Sequence, residues 1–193
     1  MEYWTTGRKL IAAGFTLLIG ICSAAAYTYQ IKQPIQIDSS AATAQQDPGA
    51  QWIYVYMPLP GGDRRKHLAG VMSDNQVGFK PPYQGAQKAW LILRNHPQQG
   101  KSAMLNIEKG KFACEVHSSC QLSLRFDDGE QVKVDATANP EKNGNSLVIS
   151  HYGEFLNKLK HAHSLEIDAP VVDQQTANFH FNVADLVSTD FDM

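Results

Sequence analysis

From Lys109 to Gly129 the chain reads Lys-Gly-Lys-Phe-Ala-Cys-Glu-Val-His-Ser-Ser-Cys-Gln-Leu-Ser-Leu-Arg-Phe-Asp-Asp-Gly, and no other stretch limits the fold as much. Behind Cys120 the apolar residues recur at every second position. Leu122, Leu124 and Phe126 point one way, and Gln121, Ser123 and Arg125 the other. That period of two marks a strand with one buried face. Asp128-Gly129 supplies a turn, after which Val132 and Val134 resume the alternation on a returning strand. The stretch predicts a β-hairpin whose tip carries Cys114 and Cys120 with five residues between them.

Similar short runs fill the rest of the chain from Trp52 onward. Trp52-Ile-Tyr-Val-Tyr56 is aromatic and β-branched, and Pro58, Pro60 and Gly61-Gly62 end it in a loop. His67 to Val71 predicts a second strand, and Ser73-Asp74-Asn75 a turn toward Val77 and Phe79. Ala89-Trp-Leu-Ile-Leu-Arg94 is apolar almost without interruption, which predicts a strand covered on both faces. Ala103 to Ile107, Leu147 to Ile149, Leu165 to Asp168 and Phe179 to Val183 complete the set. One helix interrupts it: Tyr152, Phe155, Leu156, Leu159 and Ala162 fall on a single helical face, with Ser150 as candidate N-cap. The fold class that follows is mainly β, an antiparallel β-sandwich or open barrel with one α-helix in its C-terminal half.

An N-terminal membrane segment precedes this domain. Leu10 to Ala26 is seventeen residues without a charge, directly after Arg8-Lys9. As a signal peptide it would end at the small residues Ala24-Ala25-Ala26. As a retained anchor it would run over 10–29, long enough for a bilayer core of roughly 30 Å, with Tyr3, Trp4, Tyr27 and Tyr29 at its two interfaces. The organisation is thus a cytoplasmic n-region (1–9), an anchor or signal peptide (10–29), a flexible Gln-, Ser- and Ala-rich linker (30–50), a β-rich domain (51–187) and a short acidic tail (188–193) expected to fray. Both readings place the domain outside the cytoplasm: at a bacterial inner membrane facing the periplasm, or free in the periplasm if the leader is cleaved.

Export bears on the cysteines. Cys22 falls in the apolar span, behind Ile21 rather than the small residue a lipid-attachment site requires. Cys114 and Cys120 remain, an even pair at short spacing in a compartment where disulfides persist. The alternative is two buried free thiols. Their spacing is not that of a Cys-x-x-Cys redox pair, and with His117 they supply three of the four ligands a structural zinc needs.

The chemistry of turnover has little to stand on. A net charge of -2 disfavours nucleic acid as a partner. Arg64-Arg65-Lys66 is the one dense cationic cluster. Asp127-Asp128-Gly129 is a turn signal before it is a carboxylate pair. None of the seven histidines stands in a ligand motif, and no Gly-x-Ser-x-Gly or His-Glu-x-x-His occurs. The reading is of no catalytic residue, no metal, no cofactor and no enzyme. Contacts are better represented. Trp52, Tyr54 and Tyr56 share one face of their strand, and with Arg64, Arg65 and Lys66 they form a candidate interaction surface, the other reading of that aromatic face being core.

Taken together, Asp63 with the following Ala-Gly-Val, Ser73-x-Asn75, Pro82-Tyr83-x-Gly85, Leu91-x-Leu93-Arg94-x-His96-Pro97, Phe112-x-Cys114, Cys120, Arg125-Phe126-Asp127-Asp128-Gly129 and Phe179-x-Phe181-x-Val183-x-x-Leu186 resemble a group of uncharacterised exported bacterial β-rich domains. More distantly the order of strands is similar to periplasmic accessory proteins of type VI secretion. The chain departs from that pattern by closing on Ala184-Asp185-Leu186-Val187 and by a possible anchor in place of a lipobox. The resemblance implies no catalytic residues. It implies a non-enzymatic periplasmic domain that binds protein or cell wall, accessory to a secretion or mobile-element system, with the inner membrane as a further partner through 10–29 if the leader is uncleaved. An inhibitor of lysozyme-type enzymes and an unrecognised hydrolase are the alternatives.

Overall fold

The computed structural model describes residues 43–45, 51–60, 64–83, 85–174 and 176–192. The leader, and the linker apart from 43–45, lie outside them. Among the described residues no helix is long and apolar enough to cross a membrane.

Among the described residues, twelve strands and one helix occur in the order β1 (Thr43–Gln45), β2 (Ile53–Pro58), β3 (Arg65–Met72), β4 (Val77–Phe79), β5 (Gly85–Gln87), β6 (Ala89–His96), β7 (Gly100–Ile107), β8 (Cys120–Phe126), β9 (Val132–Ala138), β10 (Ser146–Ile149), α1 (Tyr152–Leu159), β11 (Ser164–Ala169) and β12 (Ala177–Asn182). Ten of the strands make one sheet in the order β1-β2-β3-β6-β7-β10-β9-β8-β11-β12, and β4 pairs with β5 in a small ribbon. Every pairing is antiparallel. The fold is therefore the mainly β, one-helix class that the alternation implied. The strand β1 comes from the stretch expected to be linker.

The sheet bends back so that its last strand arrives beside its second and third. Trp52 Nε1, at the entry to β2, donates to the Val183 carbonyl just past β12 at 3.2 Å. The turn after β3 covers the open edge of β12. There the Asp74 N–H donates to His180 O at 2.8 Å, the Asn75 side chain donates to Asn178 O at 2.9 Å, and it accepts from the His180 N–H at 2.9 Å. One asparagine side chain thus pairs strand groups that a neighbouring strand would otherwise satisfy.

Inside the curl lies a continuous core. Trp52, Leu91, Leu93, Leu105, Leu122, Leu124, Leu147, Phe179 and Phe181 are all fully buried. α1 lowers Phe155, Leu156 and Leu159 into it, and the Phe155 and Phe126 rings sit 6.0 Å apart. Each such side chain contributes about 1.5–3 kcal/mol on burial. The residue that caps α1 is His151, in the left-handed conformation at φ 55, not Ser150. Ser150 is held back in the sheet, where its N–H donates to Asp135 O at 2.9 Å.

The cysteines are bonded, with Cα atoms 5.4 Å apart, but not across a hairpin. β8 already has β9 on one edge and β11 on the other, so no edge is left for the segment before it. That segment pairs elsewhere: Phe112 bridges Val171, the Ala113 N–H donates to Pro170 O, and the Val172 N–H donates to Lys111 O. The disulfide ties a loop anchored on the segment just after β11, at Pro170 to Val172, to the first residue of β8.

The tail does not fray. Phe191 is 1% exposed. The Tyr152 hydroxyl donates to its carbonyl at 2.9 Å, Asn95 Nδ2 donates to Asp190 O at 2.6 Å, and Lys160 pairs with the Asp192 carboxylate at 2.7 Å. Burial, and then the nearby Asp192 charge, push the Tyr152 hydroxyl up to about 12. At the far end of α1, Asp127 in the turn after β8 accepts from the His163 and Ser164 N–H groups at 2.8 and 2.9 Å. Those two bonds hold its carboxyl below the usual carboxylate range. The Lys160 ammonium does the same for Asp192.

Three outcomes follow for stability. Replacing both cysteines by serine should lower unfolding free energy in urea by about 2 kcal/mol, the loop-closure value for so short a ring. Phe191→Ala should cost about 3–5 kcal/mol, as for other buried phenylalanines, whereas a frayed tail would leave the urea midpoint unmoved. Asp127 and Asp192, with depressed folded values, stabilise fully above the unfolded carboxylate pKa of about 3.9, and that contribution disappears as pH falls through the lower folded values. Thermal unfolding scanned from pH 5 to 2 should therefore steepen in acid, and Asp127→Asn should flatten the slope.

Candidate functional site

Strand alternation gives the sheet an inner face, which is core, and an outer face. Reading the outer positions across the ladder divides that face into two halves of different chemistry.

On β9, β8, β11 and β12 it is polar. Arg125 pairs with Glu166 across β8 and β11. Gln131 Nε2 and Asn178 Nδ2 both donate to Asp168, at 2.7 and 2.6 Å. His180 Nδ1 stands 3.8 Å from Glu166 Oε1. These groups satisfy one another in an ordinary solvated sheet surface.

On β2, β3, β6, β7 and β10 it is apolar. One row runs Ile53, Gly70, Ile92, Met104, Val148, each directly opposite the next. The row beside it runs Val55, Leu68, Arg94, Ser102. On the other side Trp90 faces Met72 and Asn106. The apolar run in β6 has its explanation here. Leu91 and Leu93 go to the core, while Trp90 and Ile92, expected to be equally covered, stand half-buried on the outer face.

Gly70 shapes the middle of this surface. A Cβ at that position would lie 3.4 Å from Trp90 Cε3 and 3.9 Å from Ile92 Cγ1, so the indole lies across the glycine instead of standing away from the sheet. The result is an open hollow of about 300 Å³ lined by Ile53, Val55, Leu68, Gly70, Trp90 and Ile92. The loop after β9 bounds it beyond β7, where Asn139 Nδ2 reaches Met104 Sδ at 3.8 Å.

Cations close one end. Arg94 lies opposite Leu68, with Nε donating to Ser102 Oγ at 3.0 Å and Nη1 to Gln99 Oε1 at 2.9 Å. Lys66 stands two residues before Leu68 on the same face, opposite Met57. Partial burial, and then the Arg94 charge, lower the Lys66 pKa. Both effects disfavour its charged form, so an arriving anion would relieve the crowding.

The residues singled out from the sequence divide between the two faces. Trp52 is core, 1% exposed, and so is no part of a contact surface, because that side of β2 turns inward. Tyr54 is half-buried beside it, its hydroxyl accepting from the Val187 N–H at 2.8 Å and its pKa raised chiefly by burial. Tyr56 packs edge-on against His67 at 5.0 Å, and His67 Nδ1 approaches Asp190 Oδ2 to 3.1 Å without the alignment of a hydrogen bond. Arg64 and Arg65 are exposed at the start of β3. Of the six, only Lys66 lies at an outer strand position in line with the hollow, two rows from Gly70 and opposite Met57. The residues that line it are the ones between the aromatics: Ile53 and Val55 alternate with Trp52, Tyr54 and Tyr56. The legible signal was that β2 and β6 carry apolar residues at both parities, which one buried face does not require. Among the described residues, no three His, Cys, Asp or Glu side chains gather in a manner that could hold a metal ion.

The chain matches no known protein-family model and no curated protein. Among solved structures it is similar to the crystal structure of invasion associated protein B from Bartonella henselae, at 9% identity and a TM-score of 0.41, over 73% of this chain and 88% of that one.

Proposed function

We propose that this chain is a non-enzymatic binding domain of the bacterial envelope, working on the periplasmic side, and that its partner is a protein held on the outer face of β2, β3 and β6. The observation that carries the reading is the apolar half of that face. Ile53, Val55, Leu68, Trp90 and Ile92 are each partly exposed and form a contiguous apolar hollow across three strands, the kind of surface on which partners dock. The outer positions of β8, β9, β11 and β12 show that this sequence builds a polar sheet surface elsewhere. The bonded Cys114–Cys120 pair supports an oxidising compartment, as does the uncharged stretch 10–29 behind Arg8-Lys9. A protein fits the surface better than glycan does. Sugar strands are polar and need hydrogen-bonding groups around an aromatic platform, whereas five of the six residues lining the hollow have purely hydrocarbon side chains or none, the exception being Trp90.

Site-specific photocrosslinking in the producing cell tests this. A photoreactive side chain at position 92 should give one discrete protein adduct, which Leu68→Asp removes, while the same group at Ser123 on the polar half should give none. Equal labelling from both positions, or labelling at 92 that Leu68→Asp leaves intact, would refute the assignment.

A further inference from the structure

The charge arrangement around the hollow defines its occupant more closely, on the reading just given that the outer face binds protein. We infer that the partner presents an apolar side chain to the hollow over Gly70 and, beside it, one or two carboxylates to Arg94 and Lys66. The spacing comes from the ladder. Arg94 belongs to the row next to that of Gly70, and Lys66 lies opposite Met57 in the row beyond. Same-face rows are about 7 Å apart along a strand, so the two cations stand about 7 and 14 Å from the centre of the hollow. An extended segment meets them with an acidic residue two or four positions from its anchor.

Three features favour this occupant. The cations are contiguous with the apolar surface, since Arg94 faces Leu68 directly and Lys66 precedes it by two residues. Arg94 spends Nε and Nη1 on Ser102 and Gln99 while its guanidinium has further donors. Among the described residues no carboxylate lies within ion-pair distance of Arg94 or Lys66: Glu141, in the neighbouring loop, acts on Lys66 only as a weaker opposing influence and accepts from Gln99 Nε2 at 3.4 Å. A bilayer would suit a protruding aromatic, yet Trp90 brings its ring edge over Gly70, is only partly exposed and lines a concavity. A second copy of the chain would bring the same Arg94 and Lys66 and, on this apolar half, hydrocarbon where carboxylates are needed.

The test pans a random dodecapeptide display library against the full chain and against its Lys66→Glu/Arg94→Glu and Ile92→Asp variants, after checking that each unfolds cooperatively. Wild type should enrich peptides with a leucine or aromatic anchor and Asp or Glu two to four residues away. The double variant should prefer Lys or Arg at those positions, with affinity for the acidic peptides falling about tenfold or more, because like charges then meet. Ile92→Asp should abolish enrichment. Anchored peptides selected without charge preference by both wild type and the double variant would overturn the carboxylate assignment and leave the protein-binding reading standing. Enrichment indifferent to Ile92→Asp, or none at all, would overturn both. Co-sedimentation with phosphatidylglycerol vesicles that Ile92→Asp abolishes, in the absence of peptide enrichment, would assign the face to lipid instead.

Discussion

A ten-stranded ladder has two ends, and the fold depends on what happens at the second of them. β12 carries the aromatic residues Phe179 and Phe181 inward, yet among the described residues no strand follows on its far edge. Backbone groups there would have to remain in water, which would hold that edge at the surface and open the core beneath it. The turn Ser73-Asp74-Asn75 removes the difficulty. Its backbone and one amide side chain take up His180 and Asn178, and the Trp52 indole takes the Val183 carbonyl a few residues further on. Ser73 is itself fixed, its N–H donating to Ala89 O and its hydroxyl accepting from the Ala89 N–H. The small turn is thus rigidly joined to β6, in the middle of the sheet. Curl, core and outer face all follow from that join.

Once the sheet is curled, each strand has one side committed to the core and one side available. Composition then decides what the available side does. On β8, β9, β11 and β12 it carries charges that pair with one another, and nothing further is asked of it. On β2, β3 and β6 it carries branched aliphatics around a glycine, with cations at one end. The same backbone geometry therefore supports a charged surface and an apolar one side by side.

Much of the architecture is legible in the order of residues. The strands with one apolar parity (β8, β9, β11, β12) and the single helix were placed by periodicity alone, and the cysteine pair by parity and spacing. The errors have specific physical sources. The cysteine hairpin failed because local alternation says nothing about which neighbours a strand takes, and β8 had two better ones. Ser150 failed as a cap because its amide is engaged by Asp135 in the sheet. The aromatic stripe of β2 reads from the sequence either as a contact surface, because Tyr and Trp favour interfaces, or as core; in the curled sheet Trp52 is core, Tyr54 is half-buried beside it, and the aliphatics between them lie outside. The acidic tail reads as frayed because Asp190 and Asp192 flank its one phenylalanine, Phe191, whose burial outweighs both charges.

The bond between Trp52 and Val183 joins residues 131 positions apart. Chains whose decisive contacts are so distant order slowly, since the entropy of closing the loop is lost before the contact is gained. Until the segment around Val183 has been synthesised, the inward side of β2 has nothing to lie against, and an unpaired, aromatic-rich strand is then exposed to other chains. The closure that gives the finished domain its shape thus also fixes its period of greatest vulnerability, between the emergence of residue 52 and that of residue 183.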